Sequence, residues 1–284
     1  VPMPLLFDMS LDALNTYEGT NPKPDNFDEY WDTAIAEMQA VDPQIELISA
    51  EFQTAFATCH HLYFTGVGGA RIHAKLLRPK HIGNPQPAVL MFHGYSVDSG
   101  NWYDKLGYVA QGFTVAALDC RGQGGLSEDI GGVQGWTLRG HIVRGVEDSP
   151  EKMLYRQIFL DTAQLAKIVM ALPEVDERRV GTTGASQGGG LALACAALEP
   201  RIKRVATVHP FLTDYQRVWQ IDQINGAYHE LQEWFRRRDP LHQREQEFFT
   251  QLGYIDVQHL APRIRGEVFM STGLMDTTCP PSTQ

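Results

Sequence analysis

The chain has 284 residues, of which 43% are hydrophobic, and a formal net charge of −10. This apolar content is enough for one large buried core, and α/β folds of this size are often a single domain. The lysines and arginines are scattered, and the only basic cluster, residues 236–238, is flanked by acidic residues. These features argue against nucleic acid and anionic membranes as partners, and no apolar stretch is long enough to span a bilayer.

The cysteines and the N-terminus bear on cofactors and compartment. The N-terminal residues lack the basic region and the long apolar core of a secretory signal. Buried free thiols are the usual state of cysteine in a reducing compartment, so we predict a cytoplasmic protein. We expect no metal and no other cofactor, because the four cysteines lack metal-site spacing: they are Cys59, Cys120, Cys195 and Cys279.

The N-terminal part of the chain is predicted to be peripheral, with residues 1–50 forming an extension. Apolar and aromatic residues recur at helical spacing over residues 26–40, so this helix is expected to pack its aromatic face on the body of the protein. Residues 54–65 and 71–78 are predicted to be antiparallel strands joined by a glycine-rich turn.

Strands and helices alternate in the rest of the chain. Residues 101–111 and 153–172 favour helices, and they separate short, nearly continuous apolar runs that favour strands. Such a pattern indicates an α/β fold with a mostly parallel sheet covered by helices on both faces. Residues 211–255 interrupt it with polar and aromatic helical sequence, which we interpret as a helical insertion in one domain spanning residues 1–284. The predicted strands are residues 88–92, 113–118, 180–183, 205–208 and 267–270.

The most specific motif is Gly184-Ala-Ser-Gln-Gly188. It follows a predicted strand and precedes the apolar run 191–198, so its serine lies at a sharp turn from strand to helix. A Gly-x-Ser-x-Gly sequence in that setting is a nucleophile elbow, in which the serine backbone is strained and the hydroxyl is exposed. The N-terminal dipole of the following helix favours negative charge beside it. Ser186 is therefore the candidate nucleophile.

The other site residues are expected at the carboxyl ends of the strands, where the chemistry of an open parallel sheet collects. Hydrolases with this elbow carry the triad in the order Ser, acid, His, and Asp276 fits the acid because it follows the last predicted strand. Two backbone amides would hold the oxyanion, one directly after the nucleophile and one in the loop after the first core strand. We assign them to Gln187 and Tyr95, with Gly94 or Ser96 as alternatives for the second.

The third member of the triad is missing, because no histidine follows Asp276 in the sequence. A further strand, a histidine loop and a closing helix would need roughly 30–45 more residues. We therefore expect the chain to end before its catalytic histidine. His209, at a predicted strand end, and His93, in the oxyanion loop, are the internal alternatives for the general base.

Several segments together resemble one family. Arg121-Gly-Gln123 combined with residues 184–190 is similar to the acetyl xylan esterase and cephalosporin C deacetylase family, carbohydrate esterase family 7. His209-Pro-Phe-Leu212 and Gly273-Leu-Met-Asp276 strengthen the resemblance, which runs from about residue 26 to the end of the sequence. The pairing of Arg-Gly-Gln with the glycine-rich elbow is much more specific than the elbow alone.

The resemblance implies an α/β-hydrolase fold with Ser186 as nucleophile and Asp276 as the acid. It implies a serine esterase that removes acetyl groups from xylo-oligosaccharides, and often from cephalosporin C, through an acetyl-enzyme. It also implies a cytoplasmic homo-oligomer, typically a hexamer. We assign Arg121 and Gln123 to structure near the site, since a guanidinium buried at a strand end must be hydrogen-bonded and can tie several loops together.

Two other functions remain open. A fold does not fix a substrate, so a broad-specificity esterase or a peptidase of the same fold is one alternative. A non-catalytic scaffold without the triad histidine is the other.

Oligomer formation also has a physical motivation in the insertion. Many aromatic rings there need burial, either against the core or against a neighbouring subunit, because an exposed patch of that size would be unusual on a monomer. The rings are those of Phe211, Tyr215, Trp219, Tyr228, Trp234, Phe235, Phe248 and Phe249.

Overall fold

The computed structural model describes residues 8–80, 83–134, 140–222, 224 and 226–284. Within these residues, eight strands form one sheet: Glu46–Ser49 (β1), Ala57–Thr65 (β2), Arg71–Pro79 (β3), Gln86–Phe92 (β4), Thr114–Leu118 (β5), Val175–Ala185 (β6), Arg204–Val208 (β7) and Glu267–Ser271 (β8). Their order across the sheet is β1-β2-β3-β5-β4-β6-β7-β8. This mixed sheet with its helices confirms the predicted α/β-hydrolase fold class.

The sheet has an antiparallel part and a parallel part. β1, β2 and β3 pair in antiparallel fashion, and β3 pairs with β5 in the same way. β5, β4, β6, β7 and β8 are mutually parallel, as the apolar runs predicted. β6 begins at Val175 rather than at residue 180, because Val175 already pairs with Gln86 of β4 across an irregularity in the register.

Helices cover both faces of the sheet. The described α-helices are Leu11–Leu14 (α1), Phe27–Ala40 (α2), Leu106–Val109 (α3), Leu154–Met170 (α4), Gln187–Leu198 (α5), Tyr215–Gln220 (α6), His229–Arg238 (α7), Glu245–Gly253 (α8) and Val257–Leu260 (α9). α3 is shorter than the predicted helix over residues 101–111, since residues 103–105 form a 3₁₀ turn and the segment ends at Gly112 with φ +90°.

Strand β4 shows how the two faces are filled. Ala88, Leu90 and Phe92 point into the larger core, whereas Val89 and Met91 point into a smaller apolar cluster on the opposite face. This alternation is the period of two expected for a strand covered on both sides. α4 and α5 are two of the main contributors to the larger core, and every residue of α5 is buried.

The N-terminal part is more closely built into the fold than its predicted peripheral position suggested. α2 buries Phe27 and Trp31 completely. The Trp31 ring stacks on Phe159 of α4, and its Nε1 donates to the Tyr254 carbonyl at 2.9 Å. β1, which the sequence pattern did not predict, adds an edge strand to the sheet with all four side chains exposed. These contacts tie α2 to α4 and to the end of α8.

Residues 211–255 contain helices α6, α7 and α8, and their aromatic rings form one packed cluster. Trp234 stacks on Phe248 with ring centroids 4.0 Å apart, and Trp219 stacks on Phe235 at 4.4 Å. Seven of the eight rings are buried in the chain itself, and only Trp219 is half-buried. The burial expected for these rings is met within one chain, so they give no reason to invoke a neighbouring subunit.

Candidate active site

The candidate nucleophile lies at a strained turn. Ser186 follows β6 and precedes α5, with φ 55° and ψ −122°. A non-glycine residue rarely adopts this backbone conformation, so the surrounding structure must hold it. The Ser186 amide donates to the Val208 carbonyl at 3.0 Å, and the Ser186 carbonyl accepts from the Phe211 amide at 3.0 Å. These bonds fix the turn and leave the half-buried hydroxyl at the sheet edge.

The glycines around the serine are required by close backbone contacts. A Cβ atom on Gly184 would collide with the backbone of Gly188, and one on Gly188 would collide with the Phe92 carbonyl. The absence of side chains therefore lets β4, β6 and the start of α5 approach one another at the turn. This packing gives the Gly-x-Ser-x-Gly motif its physical reason.

The candidate acid lies at the end of β8, two strands away from the serine. Asp276 is half-buried, and its Oδ1 accepts hydrogen bonds from the amides of Thr278 at 2.8 Å and Cys279 at 2.9 Å. Among the described residues, no hydrogen bond joins Asp276 directly to Ser186. Its role as the acid of a triad stays a prediction, and its place at the same sheet edge as the serine favours that role.

Cys279 lies between these two residues and was not recognised from the sequence. Its Sγ is 3.9 Å from Ser186 Oγ. Burial, with the Asp276 carboxylate as a second cause, raises the pKa of this thiol to about 12. The thiol is therefore neutral at neutral pH and fills space beside the serine hydroxyl. Sequence reasoning treated Cys279 only as a free thiol without metal-site spacing, although its place three residues after Asp276 could have marked it as a neighbour of the site.

The oxyanion hole was assigned to the amides of Gln187 and Tyr95. The Ser96 amide donates to Gln123 Oε1 at 2.9 Å, so Ser96 does not have its amide available for an oxyanion. In the described part of the chain, no hydrogen bond occupies the amide of Tyr95, Gly94 or Gln187. Gln187 is the first residue of α5, where the amides at the start of a helix have no partner further back in that helix.

The side chains of Gln187 and Gln123 are hydrogen-bonded to the backbone of residues 93–96, the predicted oxyanion loop. Gln187 Nε2 donates to the carbonyls of His93 at 3.3 Å and Gly94 at 3.2 Å. The two glutamine amides pair with each other at 2.9 Å, and the Tyr155 hydroxyl donates to Gln187 Oε1 at 2.6 Å. Gln187 thus has a buried structural side chain in addition to the backbone amide that sequence reasoning singled out.

Arg121 makes a buried ion pair. Its Nε and Nη2 donate to the two carboxylate oxygens of Asp161 in α4 at 2.7 and 2.6 Å, and Nη1 donates to the Val67 carbonyl at 3.2 Å. Burial raises the pKa of Asp161 even though Arg121 opposes that shift. With all its nitrogens directed at protein atoms, Arg121 fits the structural assignment better than a substrate contact.

No described histidine is hydrogen-bonded to Ser186 or Asp276. His93 Nε2 accepts from the Cys120 amide at 3.0 Å, and its Nδ1 lies 2.7 Å from the Gly94 carbonyl, so the ring is neutral with its proton on Nδ1. Burial also lowers the pKa of His93. This ring braces the oxyanion loop. His209 has φ 34° and donates its amide to the Ser271 carbonyl at 2.7 Å.

Over residues 8–80, 83–134, 140–222, 224 and 226–284, no group of three or more His, Cys, Asp or Glu side chains is arranged to hold a metal ion. No helix in this part of the chain combines the length and the apolar character needed to cross a bilayer.

The strained serine and its sheet edge can be compared with known proteins. Residues 3–284 match the sequence profile of the acetyl xylan esterase family. The chain belongs to that family. The structure of acetyl xylan esterase 1 from Thermoanaerobacterium sp. JW/SL YS485 is 61% identical and superposes with a TM-score of 0.96 over 97% of this chain and 87% of that one. Family membership confirms the predicted class, a carboxylic ester hydrolase of the acetyl xylan esterase type.

Two further relatives are similar to the chain. The acetyl xylan esterase from Paenibacillus sp. R4 is 33% identical, with a TM-score of 0.92 over 97% of this chain and 87% of that one. Acetyl esterase Axe7A from Xylanibacter ruminicola is 24% identical over 272 residues, which are 92% of this chain. The chain spans only 58% of the length of Axe7A.

Proposed function

We propose that the protein removes acetyl groups from small carbohydrate esters, with Ser186 as the nucleophile and Asp276 as the acid of its triad. The observation that carries the proposal is the strained Ser186 turn at the start of α5, in a chain of the acetyl xylan esterase family. Acetylated xylo-oligosaccharides are the proposed substrates, and the acetyl group of cephalosporin C is a second one.

The chemistry follows from the atoms at the turn. Ser186 Oγ attacks the carbonyl carbon of the acetyl ester while a general base takes its proton. The amides of Gln187 and Tyr95 stabilise the negative charge that develops on the carbonyl oxygen. The sugar hydroxyl leaves with that proton, and the acetyl group stays on Ser186. A water molecule then attacks the acetyl-enzyme, which releases acetate and restores the serine.

We propose that the general base is a histidine outside the described residues, oriented by the Asp276 carboxylate. The support is that none of the described histidines is hydrogen-bonded to Ser186 or Asp276, while His93 is already occupied by the Cys120 amide. A histidine within about 25–40 residues after Asp276, on a loop that follows another strand, would complete the triad. Replacing that histidine by alanine in the full-length protein should stop turnover, and undiminished activity would reject the assignment.

We expect the full-length enzyme to prefer acetyl strongly over longer acyl groups. The Ser186 carbonyl accepts a hydrogen bond from the Phe211 amide. The centroid of the buried Phe211 ring lies 6.0 Å from that of Tyr95 and 4.5 Å from that of Tyr228. The family resemblance motivates the preference for acetyl, and each extra methylene that cannot be accommodated costs about 1–3 kcal/mol. Hydrolysis of nitrophenyl acetate, butyrate and octanoate should show the acetyl ester ahead of the butyryl ester by about ten-fold or more.

The same measurements separate the alternatives. Similar rates on all three esters would favour a broad-specificity esterase, and cleavage of acylated peptides but not of acetyl sugars would favour a peptidase. A wild-type protein without any hydrolysis would favour a non-catalytic scaffold.

We also propose, on the basis of the family resemblance, that the protein is a cytoplasmic homo-oligomer and that this oligomer is a hexamer. If subunits close over the sites, small esters reach Ser186 more readily than polymeric xylan does. Light scattering on the full-length protein measures the mass, and we expect about six times that of one chain, as the resemblance implies. A monodisperse monomer would overturn the hexamer without touching the esterase proposal.

A further inference from the structure

A buried carboxylate connects the helical insertion to the oxyanion loop. Glu230 lies in α7 and is only 4% exposed. Its Oε1 accepts hydrogen bonds from the Tyr95 hydroxyl and from the His141 amide, the latter at 3.0 Å, and its Oε2 accepts from the Val143 amide at 3.0 Å. All three partners are neutral donors. In the part of the chain that the structure describes, no cation pairs with this carboxyl group.

The electrostatics of this carboxyl group are unusual for a structural glutamate. Burial raises the pKa of Glu230 to about 7, although the hydrogen bonds from Tyr95, Val143 and His141 oppose the shift. Burial raises the pKa values of the Tyr155 and Tyr215 phenols, and the Glu230 charge contributes to both shifts. A buried carboxyl group without a counter-ion is costly, and the hydrogen bonds from its three donors offset part of that cost.

Two chain segments, the loop of Tyr95 and residues 140–143, converge on Glu230. The Tyr95 hydroxyl accepts from the His141 amide at 3.0 Å, and the rings of Tyr95 and His141 lie 4.8 Å apart. His141 Nε2 is also 2.9 Å from Ser96 Oγ. Gly140, with φ +124°, passes so close to the carboxyl group that a Cβ atom there would collide with it. Glu230 therefore holds residues 140–143 and the Tyr95 side chain together.

We propose that Glu230 is a positioning residue of the oxyanion hole, which acts by fixing the Tyr95 phenol and thereby the Tyr95 backbone amide. The proposal rests on the assignment of Ser186 and the Tyr95 amide to the reaction. Glu230 itself does not touch the substrate.

The oxyanion loop needs such an anchor because of its own backbone. Ser96, the residue after Tyr95, has φ 56°, a left-handed conformation that a serine does not favour. On the core side, the Gln187 side chain holds the carbonyls of His93 and Gly94. On the insertion side, the Tyr95 phenol is held by Glu230. With both anchors, the amide between them points in one direction before the substrate arrives, which is the condition for electrostatic preorganisation.

The substitution Glu230→Gln tests this role in the full-length enzyme. A glutamine keeps the size but places an NH₂ group against one of three hydrogen-bond donors, so at least one anchor is lost. We expect kcat for acetyl esters to fall by about ten-fold or more while KM changes by less than about three-fold, because the oxyanion donors act mainly in the transition state. Tyr95→Phe removes the phenol alone and should lower kcat to a similar extent.

The two changes combined separate positioning from simple structural support. If Glu230 acts through the Tyr95 phenol, the double variant should be no worse than the poorer single variant, whereas independent effects would multiply. Glu233→Gln is the matched control, since Glu233 lies on the same helix and pairs with Arg236 instead. It should retain wild-type kcat and KM.

Multiplying effects, or a change in KM or melting temperature without a change in kcat, would overturn the proposal. If the Glu230→Gln variant does not fold, the Tyr95→Phe variant tests the proposal by itself. An unchanged kcat in Tyr95→Phe would then reject the positioning role of Glu230. Failure of the esterase proposal itself would look different, because wild-type hydrolysis would then not depend on Ser186.

Discussion

Replacing Ser186 by alanine should abolish ester hydrolysis in the full-length enzyme and leave its fold intact. The serine hydroxyl is the atom that bonds to the acetyl group, and triad members act as a unit, so we expect kcat to fall by about 10³-fold or more. The strained backbone conformation of Ser186 is held by hydrogen bonds of its own amide and carbonyl groups, and alanine keeps these groups. The melting temperature should therefore change little.

An organophosphate provides a second measurement of the same assignment. It should label the wild-type enzyme once, and peptide mapping should place the label on Ser186. Ser49→Ala, at an exposed serine of the edge strand β1, is the matched control and should keep both activity and labelling. Labelling at another residue, together with undiminished activity of the Ser186→Ala variant, would reject Ser186 as the nucleophile.

Replacing Arg121 by alanine should damage stability more than substrate binding. The substitution leaves the Asp161 carboxylate buried without its two hydrogen bonds, and Asp161 is only 1% exposed. Breaking a buried ion pair in this way costs about 3–5 kcal/mol. We expect the melting temperature to fall by roughly 6–20 °C, with KM for acetyl esters near the wild-type value in the fraction that remains folded.

Arg144→Ala provides the comparison, because Arg144 pairs with Asp129 in a partly exposed position. Loss of such a pair should cost about 1 kcal/mol or less. Replacing Arg121 by Met and Asp161 by Leu together should recover part of the stability lost in Arg121→Ala, since no buried charge then remains. An Arg121→Ala variant with an unchanged melting temperature and a greatly raised KM would instead make Arg121 a substrate contact.

Local features of the sequence were sufficient to predict the fold class and the candidate nucleophile. The elbow was predictable because its requirements lie within five residues, where Gly184 and Gly188 must approach other backbone segments and Ser186 must turn between β6 and α5. The parallel strands were predictable because residues covered on both faces are apolar without interruption. Predictions were less accurate for segments with weaker local patterns. The edge strand β1 was missed because none of its side chains is buried, so burial imposes no apolar pattern on its sequence.

Only the tertiary structure revealed which side chains meet at the site. Glu230 is 135 residues from Tyr95 in the chain, Cys279 is 93 residues from Ser186, and Asp161 is 40 residues from Arg121. Hydrophobic periodicity indicates which face of a helix or strand is buried, but it does not indicate which polar group on another element will satisfy a buried one. That pairing is decided when the elements pack, because a polar group taken out of water must find its hydrogen-bond partner among whatever residues the fold brings beside it.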